Sequence, residues 1–173
     1  MARGVKITSV DRGANAMIAR LRKMAAGQNL TVGIHEAEGA QAAEGSDDAT
    51  LIEIAAFNEF GGPPTESKPE GNPPRRSFIV DWADENVEEN RAALRKSAAA
   101  VLKGTVPDMT TALNRVGLLF VGRIQARIKA GIEPANAEST IERKGSSTPL
   151  IDGGQMWKSV THQVGNGSSG NSQ

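Results

Sequence analysis

The chain has no cysteine, no tyrosine, two histidines and only six aromatic side chains in 173 residues. The lack of cysteine excludes disulfides and thiolate metal sites. With Cys and Tyr both missing, nucleophilic and acid–base catalysis has few candidates. Net charge is absent too, since 20 basic residues cancel 20 acidic ones. Coating a nucleic acid needs a cationic field and counterion release, and no global excess of charge supplies them here. No apolar run reaches transmembrane length, and Met1-Ala2-Arg3-Gly4-Val5-Lys6 lacks the apolar core of a signal peptide. These features predict a chain made and kept in a cytoplasm. Scarce aromatics predict an aliphatic, alanine-rich core with Phe57, Phe60, Phe78, Phe120, Trp82 and Trp157 as its large pieces. A chain of this size normally buries roughly 70% of its unfolded surface. This one is expected to fall short as a monomer, which argues for assembly.

What is present in abundance is proline in one place. The apolar helical run Leu51 to Phe60 stops at Gly61-Gly62, and five of the eight prolines follow: Pro63, Pro64, Pro69, Pro73 and Pro74. Proline fixes φ and cannot continue a helix or central strand, so residues 61–76 read as a stiff, extended arm. A long arm between helices cannot easily bury itself in a small domain. It is expected to lie on another surface, with the anchor Arg75-Arg76-Ser77-Phe78 directly after it. Arg75 and Arg76 are either ordinary surface arginines or intersubunit partners.

Alternation of Val5 and Ile7 suits an edge strand, and Leu30, Val32 and Ile34 a second. Between them a helix is expected over Ala14 to Ala26, ended by Gly27. Residues 36–50 read as a loop, with Ser46, Asp47 or Asp48 capping the next helix. Ser77 to Lys103 predicts a long helix broken near Asn86. Its acids come first and its bases last, which complements the helix dipole on a solvated face. Asp108 caps a strongly amphipathic helix through Leu113, Val116, Phe120, Ile124 and Ile128, the expected spine. Pro149 to Gly154 makes a turn that buries Leu150, Ile151 and Trp157, and Trp157 to Val164 is read as a third strand. The fold class is α+β: a small, mainly antiparallel sheet packed against long helices, with the proline-rich extended arm. One domain spans residues 1–164, followed by a flexible tail at 165–173.

Catalytic motifs fail on inspection. His35-Glu36-x-Glu38 invites a metal only if His35 and His162 meet across paired strands, and H-E-x-x-H spacing is absent. Around Lys158-Ser159, Asp152 and Trp157 stand where a phosphate loop requires glycine. No enzyme, cofactor or metal is expected.

Asn58-Glu59-Phe60-Gly61, the proline loop, Pro74-Arg75-Arg76-Ser77-Phe78, Thr140-Ile141-Glu142-Arg143-Lys144-Gly145-Ser146 and Pro149 to Val160 follow one another in an order that resembles the tail-completion, or virion-morphogenesis, proteins of tailed bacteriophages. The likeness spans about Gly4 to Val164. It departs at Arg76-Ser77, where a second Arg-Pro is commoner, and at Gly153, where Thr is usual. The resemblance implies a structural virion protein at the head–tail junction, assembled in the bacterial host cytoplasm. There it forms a ring of six copies that caps the tail tube protein and joins the head connector or stopper. DNA would pass through the lumen without sequence-specific binding, and no membrane is involved. The expected interface comprises Asn58, Glu59, Phe60, Gly61, Pro63, Pro64, Pro73, Pro74, Arg75, Arg76, Phe78 and Trp82, with the arm crossing to the next protomer. Alternatives are another neck or minor-tail component (a connector stopper or tail-assembly factor), an unrelated α+β binding module, and a metal-dependent hydrolase.

Overall fold

The protein is seen as a computed structural model in which residues 13–25, 27–43, 49–64, 66, 73–136, 141–142, 150 and 154–166 are described. Among these, seven helices and two strands follow one another: α1 (Ala14–Ala25), β1 (Gln28–Ile34), α2 (Glu36–Gly39), α3 (Leu51–Phe60), α4 (Val80–Glu85), α5 (Val87–Lys103), α6 (Met109–Ala130), α7 (Gln155–Lys158) and β2 (Val160–Asn166). The architecture is α+β, a two-stranded antiparallel sheet packed against helices.

Helix α6 is the spine. Asp108 caps it, its side chain accepting from the Thr111 N–H at 2.7 Å, and Gly131 ends it. One face buries Leu113, Val116, Phe120, Ile124 and Ile128. Each such side chain contributes about 1.5–3 kcal/mol on leaving water. The ribbon lies on this face with Leu30 opposite Val164, Val32 opposite His162 and Ile34 opposite Val160. Alternation sends Leu30, Val32 and Ile34 to the core, while Asn29 and Thr31 stay exposed. Leu51 and Ala55 of α3, Phe78, and Trp82 of α4 join the same cluster, Trp82 meeting Phe120 edge-on at 5.4 Å. Helix α5 packs beside α6 and ends at Gly104, whose φ of 77° is the left-handed conformation glycine adopts without strain.

The approach of α6 to β2 depends on Gly117. A Cβ there would stand 2.3 Å from the His162 ring and 2.9 Å from its Cβ. His162 is held in place by Asn114 Oδ1 at 3.0 Å. Gly117→Ala therefore forces the ribbon off its helix. The expected loss is about 1–3 kcal/mol, read as a lower urea midpoint and partly recovered in a His162→Ala background.

Several elements differ from expectation. The loop over residues 36–50 contains α2 and a bridge between Ala42 and Thr50. Thr50, not a residue at 46–48, caps α3, in a capping box with Glu53. The long helix begins at Val80 rather than Ser77 and breaks at Asn86, whose side chain donates to Trp82 O. The C-terminal strand starts at Val160, because Gly154 (φ 84°) sets Gln155–Lys158 into a helical turn. Trp157 is half-buried there, with Lys129 Nζ 3.8 Å from the centre of its ring. Leu150 is buried as expected. The expected strand around Val5 and Ile7, most of the 134–148 segment, Ile151 and the centre of the arm lie outside the described residues.

Candidate functional site

The residues expected at an interface gather at the root of the arm, where three backbone and side-chain links close it. Asn58 O accepts from the Arg76 N–H at 2.6 Å, and Pro73 O accepts from the Gly62 N–H at 2.8 Å. Gly61 (φ 85°) lies against Arg75 so closely that a Cβ would meet its backbone nitrogen at 3.4 Å. Chain leaving at Gly62 and chain returning at Pro73 thus share one neck. The arm therefore leaves and returns at one point, as a segment whose return is locked near Phe78 requires.

Glu59 is the third link and the chemical centre of the root. It is buried, and its two carboxyl oxygens accept from the N–H groups of Phe78 (3.0 Å), Ile79 (3.1 Å) and Val80 (2.8 Å) and from the Ser77 hydroxyl. Ser77 Oγ in turn accepts from the Asp81 N–H at 2.9 Å. The N-cap position of α4 is Ile79, which has no capping oxygen of its own. Glu59 supplies the missing acceptor from the far side of the arm, at the positive end of the helix. Asn58 turns its side chain back to Ile54 O, so only its backbone joins the root.

The two arginines part company. Arg76 is buried, and its guanidinium donates to Pro134 O at 2.6 Å and Ala135 O at 3.1 Å. Burial holds its pKa below the ordinary arginine value. It ties the root to the chain leaving α6 and presents no open phosphate clamp. Arg75 is more exposed and forms a two-pronged pair with Asp81. Phe78 and Trp82 sit inside the core of their own protomer. Phe60, Pro63 and Pro64 are exposed, and Pro73 and Pro74 half-buried.

Asp81, Glu85 and Glu89 follow at helical spacing along α4 and α5. Across from them, Arg127 pairs with Glu85, and Arg123 stands 3.2 Å from Glu89 without a hydrogen bond. The acidic run is therefore partly stapled to α6, beyond the solvated face expected. The Arg75 side chain bonded to Asp81 holds that carboxyl below the usual range, and the Arg127 bond does the same for Glu85. Helix-capping bonds from Thr111 N–H to Asp108 and from Thr50 N–H to Glu53 also lower their carboxyls. Carboxyls depressed on folding stabilise above their unfolded pKa values and lose that contribution as pH falls through the folded ones. Stability is expected to be flat from about pH 7 to 5 and to decline below about pH 4–5. Urea titrations across that range check this. Added salt should weaken the two arginine pairs more than the two caps.

No catalytic set emerges from the described residues. His35 is bound to Thr31 and Thr161, and His162 to Asn114, so the two imidazoles serve different partners. No three His, Cys, Asp or Glu side chains there gather as for a metal ion. A cavity of about 150 Å³ beside α1 is lined by Arg20, Lys23, Met24 and Asp108, and Asp108 is already engaged as a cap.

Comparison of the chain with protein-family models, with characterised proteins and with solved structures gives no match in any of the three.

Proposed function

We propose that this chain is a structural virion protein of the tail-completion type. It forms a ring at the head–tail junction of a tailed bacteriophage, capping the tail tube and joining it to the capsid connector. One observation supports the reading above others: two of the motifs that carry the resemblance, Asn58 to Gly61 and Pro74 to Phe78, build the root of the arm. Glu59 caps α4, the Asn58 carbonyl holds the returning chain, Gly61 lets it pass, and Arg76 and Phe78 anchor it. Three side chains and two backbone links hold one excursion at one point, which suits a protein whose task is to present a segment to a neighbour. Proline has already removed much of the arm's conformational freedom, so contact orders it at low cost. Between Gly62 and Pro73 lie residues 63–72, and a closed loop reaches outward by about half its contour, roughly 17 Å.

Replacing residues 63–72 by Gly-Gly should leave the root intact, because its ends are already joined. The expected product is a folded monomer with a near-native melting curve that no longer assembles, as read by native mass spectrometry. Unchanged ring mass would count against the proposal.

A further inference from the structure

Six aromatic side chains serve the whole chain, yet two stand open on one helix, Phe57 at 46% and Phe60 at 71% exposure. With Ala56 they form the side of α3 turned away from Leu51 and Ala55, which enter the core. Glu53 is the single charge on that side, and it is engaged in the capping box with Thr50. Exposed Pro63 and Pro64 carry the apolar surface into the arm. A helix apolar all round is normally covered all round. Here the described residues bury only one side of it.

Helix α6 has a second open face. Opposite Val116, Phe120, Ile124 and Ile128, Leu118 (64% exposed) and Leu119 (43%) stand beside exposed Gly122 and Ala126. Gly122 carries no side chain between these leucines and Ala126, and a Cβ added there would meet nothing within 4 Å, so the helix backbone is open at the middle of the face. Exposed Arg115 and Lys129 frame it. Each face points away from the core that α3 and α6 share, so the two are separate surfaces. The first is edged by carboxylates, Glu53 and, in the arm, Glu66; the second is edged by cations.

The geometry points to a head-to-tail contact between copies of this chain, with the α3 face of one protomer seated on the α6 face of the next. Phe60 is the knob and Gly122 the notch, with Leu118 and Leu119 packing alongside and Arg115 facing the acidic edge. This rests on the assembly reading above and gives it a direction. Two different faces make a heterologous contact, which either closes into a ring or continues as a filament. A self-complementary patch would stop at a dimer.

Phe60→Asp and Leu118→Asp test the pairing by sedimentation velocity, with melting curves to show that both variants fold. Both sites are exposed, so the fold should survive. Each variant alone should weaken self-association about 100-fold or more, because a desolvated, unpaired charge enters the contact. Mixed together, they retain one intact α3 face and one intact α6 face, so they should form a 1:1 pair that grows no further. If the unaltered protein assembles and either variant assembles equally well, or the mixture stays monomeric, this pairing of faces is overturned while the assembly reading stands. An unaltered protein that is monomeric at every concentration overturns both.

Discussion

Glu59→Ala lowers the thermal midpoint by about 10 °C, although it removes neither an aromatic nor an aliphatic core residue. Three backbone N–H groups and one hydroxyl lose their shared acceptor inside a buried root. Each buried donor left unsatisfied costs about 1–3 kcal/mol, and partial rescue by water brings the sum to about 3–5 kcal/mol. A domain of this length loses about 2–4 °C per kcal/mol. The effect is also local. Amide exchange at Phe78, Ile79 and Val80 should accelerate more than at Ile124, because the start of α4 frays before the spine does. Glu59→Gln keeps one accepting oxygen and should fall between the two. A midpoint unmoved by Glu59→Ala would mean that the start of α4 finds another acceptor.

Phe78→Ala has a comparable cost for a different reason. Phe78 is the largest of the fully buried side chains, 1% exposed, and follows directly on the residues that Glu59 holds. Truncating it removes apolar contact and leaves a cavity, together about 3–5 kcal/mol. That is a large share of the 5–15 kcal/mol typical of a whole domain. Urea unfolding should show the midpoint falling with little change in slope, the sign of lost stability without a changed unfolded state. Phe78→Leu should recover most of the difference. Because the same residue closes the core and fastens the arm, Phe78→Ala should also loosen the root, visible as faster exchange at the Arg76 N–H.

Much of the frame was readable because its signals are local. Asp108 before an apolar period of 3.6, Gly104 after α5, and alternation through Leu30, Val32 and Ile34 each act within a few residues. Thr50 with Glu53 is equally local, in the T-x-x-E form of a capping box, but Ser46, Asp47 and Asp48 just before it have the same capping chemistry and compete with that signal. The start of the last strand is ambiguous in the sequence because Val160, His162 and Val164 alternate, and nothing in that alternation marks the end of the helical turn set by Gly154. The root of the arm was legible as a motif and opaque as a mechanism. Rules for caps look at the residue before a helix, and Ile79 holds no acceptor there; the cap arrives from Glu59, twenty residues away in sequence. The same holds for Arg127 and Arg123. Nothing in their own segment names their carboxylate partners, which lie on other helices.

The bond between Gly62 and Pro73 separates two kinds of freedom. Below it, Glu59, Arg76, Ser77 and Phe78 are committed to neighbours, so changes there disturb the frame. Above it, the chain is tethered at both ends to a single point, and doubling such a loop costs only about 0.6 kcal/mol of closure entropy. The tip can therefore be lengthened or rebuilt at little cost to the frame, like a tool that changes its bit and keeps its handle.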